Sequence, residues 1–363
     1  MSNADLPSLV RVPSDESFAH LCQFLAERAS RWKDVADWPA ESLRACASAG
    51  VYRWFLPADQ GGLGWDAADQ TRGYLKLAQA DLTTTFIITQ YIGAIKRIAG
   101  SGNRELIDRW LERLVSGESF GTVGISHLTT SRRHLAKPVL SAAANETGFV
   151  LNGMAPWVTG VAYADVFVVG ATLADGRELL AAIPSKCVGV EPGAGISLVA
   201  LSASCTDRLN LDDVQIDESM LIAGPAENVM QSGLGGNAGG LQTSTLAVGL
   251  TRAAVVFLND EASRRSDLQR ASAEITSELD QLESLLIRAV GGDADCDTSD
   301  IRGKANRLVL RSTQAALTAA KGAGFVDGHP VGRWCQQALF FLVWSCPQAV
   351  ASAHLCELAG IES

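Results

Sequence analysis

Clustered positive charge is scarce in this chain of 363 residues: 30 Lys and Arg stand against 40 Asp and Glu, for a formal net charge of −10. A nucleic-acid backbone is bound by a basic face that displaces counterions. The arginine pairs Arg132–Arg133 and Arg264–Arg265 do not make one, so nucleic acid is excluded as a partner. A small anionic ligand is not excluded, because a few local arginines suffice to hold it. Paired cysteine motifs are absent too. The eight cysteines, at positions 22, 46, 187, 205, 296, 335, 346 and 356, include no CxxC, and predict buried, reduced thiols in a cytoplasmic protein. Long apolar runs are also missing. The longest, around Thr245–Leu258, is interrupted by Arg252 and falls short of the roughly 20 residues a bilayer requires. The opening residues, MSNADLPSLVRVPSDES, carry no apolar leader core. The expectation is a soluble cytoplasmic protein with no membrane partner.

What the chain has is core-forming material. Hydrophobic residues make up 47% and charged residues 19%, enough for two or three domains, since single cores stop growing near 250–300 residues. Phe18, Leu21, Cys22, Leu25 and Ala29 recur at helical spacing after a candidate cap at Ser14. Asp37-Trp38-Pro39 restarts a helix. From Phe120 the pattern turns to short β-rich runs at Phe149–Leu151, Val166–Leu173, Leu179–Ile183 and Arg208–Leu211, with a hairpin turn at Asp175-Gly176. Helical spacing returns after a glycine-rich link, with Ile275, Leu279, Leu282 and Leu286 on one face, then over Ile301–Ala320 and Val331–Leu358. The predicted class is α+β: an N-terminal helical domain over 1–119, a middle β-barrel domain over 120–225 and a C-terminal helical bundle over 226–363.

Several motifs sit on this frame. Gly50-Val51, Pro57 and Gly61-Gly62-Leu63-Gly64 punctuate the first helical region. Gly148-Phe-Val-Leu-Asn-Gly153 is followed by Trp157-Val158-Thr159 and Ala164-Asp165. Ser116-Gly117-Glu118 leads into Gly121 and Ile125-Ser126-His127-Leu128. Taken alone, the 148–165 segment also reads as a hairpin strand with a core tryptophan. Together, in an α-then-β-then-α order, these segments resemble the acyl-CoA dehydrogenase family over nearly the whole chain, from about Leu43 to Ala359. The resemblance implies the fold of that family, a bound FAD (FMN is the alternative), and a homodimer or homotetramer. It implies that Ile125, Ser126, Trp157, Val158 and Thr159 hold the flavin ring, Trp157 against one face and the hydroxyls of Ser126 and Thr159 on the ring edge. It implies that Arg265 reaches the FAD pyrophosphate of a neighbouring subunit and that Thr318 and Gly322 belong to an FAD-binding loop. Such a ring needs an apolar wall and a few fixed hydrogen-bonding groups, which these residue types supply.

The family chemistry is incomplete here. Its usual general base, a glutamate, falls on Ser345, and the alternative position falls on Gly239, next to Gly240. Arg132–Arg133 replaces residues that meet acyl-CoA in the family. A serine is too weak a base to take an α-proton unaided at neutral pH. Three expectations stay open. The chain acts as a flavin-dependent oxidoreductase on CH–CH groups of an acyl thioester, acyl-CoA among the candidates, or of a similar small molecule. Alternatively it is a flavin-dependent monooxygenase of the same superfamily, fed by a flavin reductase or another electron-transfer partner. The third is a non-catalytic flavin-binding protein. No metal site is expected.

Overall fold

The computed structural model describes residues 7–129, 138–231, 233 and 240–361. Five helices come first: α1 (Glu16–Arg28), α2 (Ala40–Ser48), α3 (Ala67–Ala80), α4 (Leu82–Ala99) and α5 (Arg104–Val115). Then follow β1 (Gly121–Gly124), a one-turn α6 (Ser126–Thr129), β2 (Leu140–Ala144), β3 (Gly148–Val158), β4 (Val166–Leu173), β5 (Glu178–Pro184), β6 (Val190–Pro192), β7 (Asp207–Asp217) and β8 (Leu221–Ala226). The chain continues in helices α7 (Leu241–Arg264), α8 (Gln269–Val290), α9 (Thr298–Ala320), α10 (Pro330–Leu339) and α11 (Gln348–Ala359).

Local signals account for the helix starts. The Asp66 carboxylate accepts from the Asp69 amide at the head of α3, and Asp81 accepts from Thr83 at the head of α4. Pro330 opens α10, where a missing amide donor costs nothing, and the His329 ring caps the same turn. The cap expected at Ser14 lies one residue on: α1 begins at Glu16 behind an extended Asp15, whose carboxylate accepts from the amides of Arg11 and Val12. The helical run expected over Val331–Leu358 is broken. α10 stops at Leu339, a single turn of 3-10 helix follows at Phe340–Leu342, and α11 starts only after Pro347. Proline disfavours helical backbone in the residue before it. The residue before that, Ser345, takes a left-handed φ of 45°.

The eight strands form one mixed sheet, in the order β6-β7-β3-β2-β4-β5-β8, with β1 also paired to β4. β1 runs parallel to the first half of β4, and β2 runs parallel to its end, so two strands share one edge of β4. The sheet keeps its own core of alternate residues such as Leu151, Phe167, Val169, Ile183, Leu209 and Leu211. The helices before and after it share a second core, with Ile87, Ile95, Leu246, Leu250, Leu282 and Leu308 in one continuous cluster. The sheet's other face, through Val166, Val168 and Leu180, packs on that cluster.

Among the described residues one helix, α7, is long and apolar enough to cross a membrane by length and composition alone, but 72% of its most apolar window is buried inside the protein. It is the central helix of the bundle, and its Arg252 pairs with Glu283 of α8. α7 approaches α3 at Gly249, where an added Cβ would lie 2.7 Å from the Ala78 methyl and 2.8 Å from the Leu75 carbonyl oxygen. Backbone cannot yield there as a side chain does. Gly249→Ala should therefore lower stability by about 1–3 kcal/mol, despite alanine's better helix propensity. Chemical denaturation would detect this, and an unchanged midpoint would count against so close a crossing.

Candidate active site

A cavity of about 630 Å³ opens between α4, the α6 and β3 end of the sheet, the start of α7, and the turn that follows α10. Each wall has a local cause. β3 carries a register shift against β7 between Ala155 and Val158, a bulge that accommodates Pro156 and Trp157. Trp157 takes φ 58°, a left-handed conformation that costs a non-glycine residue about 1–3 kcal/mol. The distortion throws its ring out of the sheet, so that a large apolar side chain stays 56% exposed on the cavity wall.

Next to it, the Thr159 hydroxyl is almost fully buried on the wall and accepts a hydrogen bond of 3.2 Å from Thr206, which in turn meets Ser204 at 2.8 Å. With Thr206 as donor, the hydrogen of Thr159 is left for a partner in the cavity. Ser126, at the first position of α6, donates to the Pro156 carbonyl at 3.0 Å, tying α6 to the bulge. Across from these, Phe86 meets Phe340 and Trp344 edge-on at 4.9 and 5.0 Å, and Phe340 stacks on Trp344. The turn bearing them is held by Arg302 of α9, whose buried guanidinium donates to the carbonyls of Phe341 and Trp344 at 3.1 and 2.8 Å. Asn306 adds a bond to Phe341.

The structure brings five of the sequence-predicted residues to this one cavity: Ile125, Ser126, Trp157, Thr159 and Ser345. Gly240 lines it as well, whereas Gly239, Arg132 and Arg133 lie outside the described residues. Val158 does not line it. Strand alternation turns its side chain into the sheet core, where it is fully buried. Arg265, Thr318 and Gly322 are elsewhere as well, near the C-terminal ends of α7 and α9. There Arg265 donates to the Ala319 carbonyl at 2.7 Å and pairs with Glu261 and Asp267. Thr318 is exposed at the end of α9, and Gly322 has open space around its Cα.

The described lining contains no aspartate or glutamate. Asp327 is an exposed partner of Lys33, and Glu357 lies beside Arg307 and His354 outside the cavity. His127 is buried with its Nε2 on the Gly170 carbonyl, and burial holds its pKa below the usual imidazole value, so it is a neutral structural ring. Sequence reasoning missed the whole α4 wall. Thr89, Gln90, Gly93, Lys96 and Arg97 fall at helical spacing on one side of α4 and all line the cavity. The available signal was a polar stripe at that period in an otherwise apolar helix, together with a third adjacent basic pair, Lys96–Arg97.

Residues 16–118 match the family described as acyl-CoA dehydrogenase, N-terminal domain. The chain is 20% identical over 338 residues to a probable acyl-CoA dehydrogenase, YngJ, of Bacillus subtilis, covering 86% of this chain and 88% of that one. A solved glutaryl-CoA dehydrogenase from Mycobacterium smegmatis in complex with FADH2 superposes with a TM-score of 0.77 at 19% identity, covering 97% of this chain and 96% of the other. KijD3, solved with FMN and a dTDP-linked amino sugar, superposes with a TM-score of 0.76 at 18% identity, covering 96% and 93%. These structures share the fold, and their differing ligands leave the substrate of this chain open. Residues 16–118 thus match the N-terminal domain of the acyl-CoA dehydrogenases, and the whole chain is similar in sequence to members of that superfamily and shares their fold.

Proposed function

We propose that this chain is a flavin-dependent oxidoreductase whose isoalloxazine site is the cavity beside Trp157, and whose reaction does not use a carboxylate base. The single observation behind this reading is the wall itself: an exposed tryptophan face held out by a strained bulge, beside two wall hydroxyls, with no acid among the described lining. Those groups fit a flavin ring. Trp157 offers an apolar face, Thr159 a free hydroxyl hydrogen and Ser126 a hydroxyl oxygen; FAD is the cofactor favoured by the superfamily. When bound, a flavin supplies two-electron transfer to or from the substrate. The chain's own part is to orient substrate against the aromatic wall of Phe86, Phe340 and Trp344 and to exclude water.

Abstraction of a thioester α-proton has no carboxylate base among the described lining. This favours either a substrate whose oxidation needs no such base or an oxygenation that uses reduced flavin delivered by a separate reductase. Purified protein mixed with FAD should quench the flavin's fluorescence and retain its visible spectrum through gel filtration. Oxygen uptake that rises on adding a flavin reductase and NADH, above the reductase-only control, would favour oxygenation. Anaerobic bleaching by an organic substrate would favour direct oxidation. A chain that never takes up flavin would end the proposal.

The proposal extends to assembly. Arg265, outside the chain's own cavity at the end of α7, is the residue we infer to reach the cofactor of a second copy. Phe325, Val326, Val343 and Leu355 leave apolar side chains more than half exposed, a surface more often covered than left in water. Light scattering should report a dimer or tetramer, and a stable monomer at micromolar concentration would reject this part.

A further inference from the structure

Arg97 presents a problem that the flavin reading does not solve. Its side chain is 4% exposed, yet it has no carboxylate partner among the described residues. One nitrogen folds back onto the Gly93 carbonyl at 2.9 Å, and Nε has no partner at all among the described residues. Burial alone lowers its pKa to about 10, leaving it a cation at any physiological pH. Lys96 beside it faces the same cavity, is pushed down by burial and by Arg97, and also has no ion pair among the described residues. The segments 130–137 and 232–239 contain no Asp or Glu that would serve either of them. Gly93 makes room for the arrangement: a Cβ there would lie 3.4 Å from the Arg97 nitrogen and 3.4 Å from Val123. A glycine inside a helix is destabilising, and a buried unpaired cation is more so. A ligand that supplied the missing charge would offset such costs.

We propose that Arg97, supported by Lys96, recognises a carboxylate on the substrate, so that the molecule entering this cavity is an acid-bearing compound and not a plain alkyl chain. This rests on the cavity being the substrate side of the flavin site proposed above. The guanidinium matches a carboxylate with two parallel donors, and in a cavity with no competing acid the pairing is charge-assisted and poorly screened. Recognition of this kind also rejects the uncharged analogue, because the buried cation is then left unpaired.

The test uses the full-length chain loaded with FAD, titrated with the glutaryl thioester of N-acetylcysteamine and with the methyl ester of the same compound. These differ in the terminal charge and by one methyl group. Binding is read from the flavin absorbance and, independently, from tryptophan fluorescence, since Trp157 and Trp344 line the cavity. The acid should bind about 10- to 100-fold more tightly than the ester, the scale of a hydrogen bond to a charged group. Arg97→Met should abolish that preference while retaining FAD and an unchanged or higher melting temperature, and Arg97→Lys should keep part of it. Equal affinity of the wild type for acid and ester, no binding of either, or an unaltered preference in Arg97→Met would overturn the proposal. So would loss of FAD in Arg97→Met, which would assign the cation to a cofactor phosphate. If the wild type takes up no flavin, the functional reading fails by itself, and the fluorescence titration of the flavin-free chain still decides the role of Arg97.

Discussion

Ser345→Glu should raise the rate at which a straight-chain acyl-CoA reduces the bound flavin by about 10²-fold or more, from a wild-type rate close to background. A hydride leaves the β-carbon only as the α-proton is taken, and the described cavity wall has no carboxylate to take it. Ser345 lines the cavity on a turn that already holds a side chain at φ 45°, so glutamate adds length without a new backbone cost. That turn is anchored from behind by Arg302 and Asn306, which fixes where the new carboxylate would start. Because the cations of α4 share the cavity, the introduced acid would be ionised and in its basic form at neutral pH. Ser345→Ala separates the explanations: it should behave as the wild type, since the hydroxyl is not the base. Anaerobic stopped-flow absorbance with butyryl-CoA measures all three proteins. Brisk bleaching of the wild type would mean that an unidentified group performs the abstraction, and the reading of this cavity as base-free would be wrong.

Trp157→Ala should weaken flavin binding by about 2–4 kcal/mol, the sum of a lost buried aromatic face and lost stacking, while leaving the fold at least as stable. The two effects separate because the ring contributes little to the core. It is 56% exposed, and the left-handed backbone that holds it there is a strained state for either residue. Trp157→Gly should go further in stability, since glycine takes that conformation freely. Equilibrium titration with FAD and thermal melting of the flavin-free proteins provide the two readings. A loss of stability equal to the loss of affinity would make Trp157 a structural residue, and an unchanged affinity would move the flavin away from this wall.

Much of this could be read directly. The three-part order follows from local pattern, since the short β-rich run at Val166–Leu173 and the helical spacing at Ile275–Leu286 are properties of nearby residues. The motif from Gly148 to Asp165 marked Trp157 and Thr159, because short spacing within one strand survives folding unchanged. The break at Ser345–Pro347 was also available from the proline and was overrun by the apolar pattern on either side.

Other features required positions that no local pattern contains. The parallel pairings of β1 and β2 with β4 join segments with long connections, and nothing in either strand specifies its partner. The side-chain direction of Val158 depended on where the bulge fell. The polar stripe on α4 could equally have faced solvent, as polar stripes on helices usually do. Only the packing of α4 between the sheet, α3 and the C-terminal helices closed water away from Arg97 and turned an ordinary surface cation into a buried one. By itself the sequence determined the order of helical, β and helical regions, and that Ser345 and Gly239 stand where the resemblance implies a base, because both are properties of residue type and spacing. The tertiary structure alone decided which polar groups face the cavity and which have lost their solvent, because burial is set by neighbours distant in the chain.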